Sequence, residues 1–119
     1  MAVPPVLIVS LEFDPPAIHF VGAVQPATLL KLNDLIPKLT SVGNSRHAAP
    51  QFVSYTTPLP RHFLEVRHQM TTEPTRMAMI LAVLECLEDE GGWTMRDTHA
   101  SLAVDSIECH KFFFTKSAR

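Results

Sequence analysis

Glycine is scarce in this 119-residue chain: Gly22, Gly43, Gly91 and Gly92 are the only four. They form no glycine-rich phosphate loop, so nucleotide binding through such a loop has no support. Cysteine is scarcer, with Cys86 and Cys109 alone. The two lie far apart and make no C-x-x-C pair. They read as buried free thiols in a reducing compartment, the alternative being one disulfide. No apolar run approaches the roughly 18 residues that a membrane span needs. Residues 1–30 hold neither Lys nor Arg. That argues against a basic secretory leader and an Arg-rich transit peptide, and the expected location is cytoplasmic. Net charge is −2, with no basic tail or stripe, which disfavours nucleic acid as a partner.

Hydrophobic residues make up 46% and charged residues 18%, the balance of a globular chain. The length suits one domain with a modest core. Residues 1–119 are therefore expected to form a single domain, with a long loop at about 41–60. Ten prolines, from Pro4 to Pro74, fall where element edges or loops are expected.

Residues 6–13 are β-branched and aromatic and predict a strand, buried on both faces around Leu7 to Val9. Asp14-Pro15-Pro16-Ala17 ends it and connects to an antiparallel strand at 18–24. Pro26 opens a short helix bearing Leu29, Leu30, Leu32, Leu35 and Ile36, which Pro37 ends or kinks. Residues 41–60 show little periodicity beyond a short strand at 52–55, and read as a functional loop or a plain surface excursion. Residues 62–68 predict a strand carrying Phe63, Leu64 and Val66. Thr71 or Thr72 then caps the main helix, with Glu73-Pro74 in its first turn. Met77, Ile80, Leu81, Leu84 and Leu87 form the expected core stripe, widened by Met79, Val83 and Cys86. Gly91-Gly92 supplies the stop. Closing strands are expected at 93–99 and 107–115, joined through 100–105. The fold class is α+β.

Little here reads as catalysis. The six histidines lack metal-ligand spacing: His62 and His68 are six residues apart, and Cys109-His110 point to opposite strand faces. Asp97 and His99 share a strand face, with Glu108 and His110 expected on its neighbour. A carboxylate beside a histidine is half of an acid–base device. Ser101 and Ser106 sit in no nucleophile motif, so Asp97 and His99 are kept as ligand-facing candidates. No cofactor is implied. The main helix ends in Glu85, Glu88, Asp89 and Glu90. Acid at the negative end of a helix dipole is unfavourable, so the end is either a solubilising terminus or an acidic patch for a basic partner. Glu88, Asp89 and Glu90 are the partner-binding candidates. Phe112-Phe113-Phe114 puts apolar groups on both faces of the last strand. One face must pack on the helix and the other needs cover, from a second chain or from the rest of the fold. Phe112 and Phe114 are the oligomer-interface candidates.

Pro5-Val6-Leu7-Ile8-Val9-Ser10, the following Val21-Gly22, and the leucine-bearing segment after Pro26 resemble the GTP cyclohydrolase I feedback regulatory protein family. So does the later order: a strand around Phe63 to Val66, a proline near a helix start, Leu84-Glu85, Gly92-Trp93, and an apolar closing strand near Lys116. The C-terminal domain of the potassium-channel-tetramerisation-domain (KCTD) auxiliary proteins is similar in the same region. The resemblance spans most of the chain in element order but only short islands in residues. The chain departs from the regulator in a longer loop at 41–60, in lacking the final hairpin's glycines, and in surface charge. The resemblance implies an antiparallel sheet with two helices packed on it, a ring-forming homo-oligomer (a pentamer) and no enzymatic activity. It also implies docking on GTP cyclohydrolase I, with phenylalanine or tetrahydrobiopterin as effector. A KCTD-like interaction scaffold and a small enzyme using the Asp/His pair are the alternatives.

Overall fold

The computed structural model describes residues 5–13, 16–39, 51–66, 72–102 and 108–116. Strand β1 (Val6–Glu12) alternates cleanly. Leu7, Val9 and Leu11 are fully buried, while Ile8 and Ser10 on the other side are half-exposed. The expectation of burial on both faces is therefore corrected, because helices cover only one side of the sheet. Phe13, Asp14, Pro15 and Pro16 separate β1 from β2 (Ala17–Val21), its antiparallel neighbour, with Asp14 and Pro15 outside the described residues. Gly22 follows at φ 135°, and a Cβ there would sit 2.5 Å from the Val6 carbonyl oxygen. Both backbone and space demand glycine at that position.

Helix α1 (Pro26–Leu39) starts on its proline and buries Thr28, Leu29, Leu32 and Ile36. Pro37 lies inside the last turn without ending the helix. Residues 40–50, which include the whole first half of the expected long loop, lie outside the described residues. Strand β3 (Val53–Tyr55) is the short strand expected there, and it pairs with β4 (Arg61–Glu65). Helix α2 (Glu73–Glu90) has Thr72 as N-cap, its hydroxyl accepting the Thr75 N–H. Gly91, at φ 85° and ψ 153°, ends it in a conformation open essentially to glycine alone. Strand β5 (Trp93–Leu102) runs further than expected, and β6 (Glu108–Lys116) returns against it, with a bulge between Met95 and Asp97.

The six strands form one antiparallel sheet in the order β3-β4-β2-β1-β6-β5. Both helices pack on one face, around Leu7, Phe20, Leu64, Leu32, Met79 and Leu87. The result is a single-domain α+β fold. The opposite face carries Val21, Ile8 and Phe113 in register across β2, β1 and β6, with no layer above them among the described residues.

Candidate functional site

Helix α2 is apolar nearly all the way round, so its sequence offers two faces to the sheet. The sheet takes Met79, Val83, Cys86 and Leu87. The stripe expected in the core divides: Met77 and Leu81 lie outward, 58% and 56% exposed, whereas Ile80 and Leu84 are half-exposed and pack against the core. Only Leu87 of that stripe is fully buried. Met77, Ile80 and Leu84 form one wall of a groove above β6 and β5, which Leu81 does not line. A cleft of about 400 Å³ at one end is lined by Leu84, Glu88, Trp93, Met95 and Phe114, among others. A second, of about 320 Å³, is lined by Glu73, Arg76, Met77, Ile80 and His110.

The three acidic candidates at the end of α2 divide. Glu88 is exposed on the groove rim. Asp89 is exposed too, but meets Lys31 of α1 at 3.6 Å. Glu90 is turned inward, with no exposed side-chain surface. Its Oε1 accepts the Gln25 N–H at 2.9 Å and the Thr28 hydroxyl at 2.7 Å. Its Oε2 accepts the Trp93 indole N–H at 2.6 Å and Lys116 Nζ at 3.4 Å. Burial pushes the Glu90 pKa up, but hydrogen bonds from Thr28, Gln25, Trp93 and Lys116 outweigh it and hold the carboxyl below its ordinary value. The placement of Glu90 on a partner surface is thus corrected. It is a clamp joining the start of α1 to β5 and β6, and its four donors explain why an acid ends this helix. Lys116 also lies 5.0 Å from the Trp93 ring centre.

Phe112 and Phe114 are likewise corrected: they are 9% and 5% exposed and belong to the core under the helices. Strand alternation then sends Phe113 to the bare face. Asp97 pairs with Phe113 and His99 with Lys111, so both stand at the β5 margin of that bare face. His110 pairs with Ala100 and Leu11 on the helix side, and its ring meets Phe13 edge-on at 6.0 Å. The expected gathering of Asp97, His99 and His110 is therefore split across the sheet, because His110 is an odd number of residues from Phe113. Glu108 pairs with Leu102 in the same register.

Across the bare face, His19 pairs with Phe63, and their rings meet edge-on at 5.8 Å. Burial, then the Arg61 charge, lowers the His19 pKa against an opposing pull from Glu12. The Arg61 guanidinium lies over Tyr55 at 4.9 Å, and its Nε is buried without a hydrogen-bond partner. Sequence alone does not single out Arg61; a base among aromatics in a short strand is its only signal. His62 meets the Ser54 hydroxyl through Nδ1 at 2.7 Å, and burial lowers its pKa; His68 lies outside the described residues. Cys86 and Cys109 are free, the first buried and the second half-buried, and burial raises both thiol pKa values. Among the described residues no cluster of three or more His, Cys, Asp or Glu is placed to hold a metal ion. None of their helices is long and apolar enough to cross a membrane.

The fold and groove define a small antiparallel α+β domain with exposed apolar surface on both of its layers. The chain is similar to a solved structure of a conserved kinetoplastid-specific protein from Trypanosoma cruzi. Identity is 25%, the match covers 98% of this chain and 100% of that one, and the TM-score is 0.78. No protein-family model matches the chain, and no curated protein matches it.

Proposed function

We propose that this protein is a non-catalytic, homo-oligomeric regulator that binds and modulates a partner enzyme, in the manner of the GTP cyclohydrolase I feedback regulator. One observation carries the reading: apolar side chains remain outward on both layers, Met77 and Leu81 on α2 and Ile8, Val21 and Phe113 on the sheet. Surfaces of that kind mark contact with other chains. In this reading the bare sheet face joins copies into a ring of five, with Phe113 in place of Phe112 and Phe114 as the interface phenylalanine. Asp97 and His99 border the same face, where a small effector such as phenylalanine or tetrahydrobiopterin would meet the joint between subunits. The mechanism is linkage. A ring that binds one state of the enzyme better shifts the enzyme toward that state, and an effector that alters the ring biases the same equilibrium. The separation of His110 from Asp97 and His99 speaks against an acid–base centre built from all three.

Light scattering across a dilution series tests the assembly, with capture of GTP cyclohydrolase I as the companion measurement. A stable mass near five times 13.3 kDa and retention of the enzyme are expected, both lost in Phe113→Asp. A monomer at every concentration would remove the reading.

A further inference from the structure

The helix layer is narrower than the sheet it covers. Six strands at about 4.8 Å spacing span roughly 24 Å between outer axes. Two helices at about 8–10 Å separation shield β4 through β6 and stop there. On that side of the edge strand, Met95, Thr98 and Ala100 stand opposite Phe114, Phe112 and His110 and are all exposed. The two clefts therefore follow one another along α2 as a trough, walled by the helix and floored by β6 and β5. From Glu73 to Glu88 it runs about 22 Å at 1.5 Å per residue, some four helical turns.

The wall carries the pattern that a helix reads. Met77, Ile80, Leu84 and Glu88 line it at spacings of three, four and four, the seam along which one helix packs against another. Charge sets the flank. Glu73 and Glu88 stand exposed at the two ends. Arg76 and His110 temper the Glu73 end. At the Glu88 end the last turn of α2 holds no base, Lys116 is engaged by Glu90, and the negative end of the helix dipole adds to the acid.

We propose that this trough seats one amphipathic α-helix of a partner protein, apolar along one side and rich in Lys or Arg along its flank. Its N-terminal, positive end lies beside Glu88, so it runs antiparallel to α2. The inference rests on the regulator reading for the existence of a partner, and adds the element by which that partner docks.

Trp93 is the only tryptophan and lines the Glu88 end of the trough, so its fluorescence reports occupancy of the full chain directly. The probe is a helical peptide of about sixteen residues with leucines at heptad spacing and lysine flanks. Its twin carries glutamate in place of lysine. The lysine peptide is expected to shift Trp93 emission saturably and to bind about tenfold more tightly than the twin. Met77→Ser and Glu88→Lys should each weaken it about tenfold, with circular dichroism unchanged. Equal binding of the two peptides, or full binding to both variants, overturns the proposal. So does a fall in oligomer mass in Met77→Ser, which would make a second copy the occupant. If both variants bind the lysine peptide like the wild type but keep ring mass and enzyme capture, the trough fails and the regulator reading stands. If the wild type binds the peptide as expected but shows neither ring nor capture, the trough stands and that reading fails.

Discussion

The two helices lie side by side on one sheet and are built on different plans. Helix α1 buries Thr28, Leu29, Leu32 and Ile36 and turns Lys31, Asp34 and Lys38 to solvent, with Lys38 and Asp34 paired at 3.1 Å. Leu30 is its one strongly exposed apolar residue. Helix α2 buries a comparable stripe yet presents Met77 and Leu81 outward, with Ile80 and Leu84 beside them. A helix that only closes a core needs a single apolar stripe. Met77 and Leu81 lie outside that core, as contact with another chain would require, whereas Ile80 and Leu84 still pack against it. Their ends contrast as well. The α1 terminus carries Lys38 in its last turn, whereas α2 ends in acids.

The comparison breaks most visibly across α2 itself. Met79→Ala, on the inner stripe, should destabilise by about 2–5 kcal/mol in urea unfolding, and Met77→Ala two residues earlier by less than about 0.5 kcal/mol. Equal losses would mean that both stripes are core. Next comes the acidic end. Glu90→Gln strips a buried carboxylate of its charge among four donors and should cost about 2–3 kcal/mol; Asp89→Asn, on an exposed pair, should cost less than about 1 kcal/mol. The same contrast has a pH signature. The folded-state pKa of Glu90 is depressed, so its contribution is complete above the ordinary carboxylate pKa and is lost as pH falls through the folded value. Urea curves of the wild type and Glu90→Gln should therefore converge in acid; a gap that widened there would contradict the clamp. The smallest effect sharpens the contrast between helix ends. Glu88→Lys places a base at the negative end of the α2 dipole and should stabilise by about 0.3–1 kcal/mol, while weakening capture of a basic helix.

Much of the fold was legible in the sequence. The order of strands and helices, the Thr72 cap, the proline starts of both helices and the glycine stop all follow from local chemistry that acts within a few residues. The site was less legible, for a physical reason. In α2 the apolar residues crowd so many angles that 3.6-residue spacing fits two stripes, and only packing against Phe112 and Phe114 selects one. In β6 three consecutive phenylalanines satisfy either parity, so the strand's face is set by its register with β1. Glu90 resembled its exposed neighbours Glu88 and Asp89 until the fold brought Gln25, Thr28, Trp93 and Lys116 around it. Those donors are separated from it in sequence by as many as 65 positions, beyond the reach of any local pattern.

Leu7 faces Phe114 across the middle of the sheet, and this pairing has a consequence in time. During synthesis β1 and β2 emerge early, with one edge of the most buried strand still open. Its permanent neighbour β6 follows only after β2, α1, β3, β4, α2 and β5 have been made, at about 5–20 residues per second. Until it arrives, Leu7, Val9 and Leu11 have no completed layer to enter, and an open hydrophobic strand edge is an invitation to wrong partners. Folding of this domain is therefore expected to wait for its far end and to close in one late, cooperative step dominated by distant contacts.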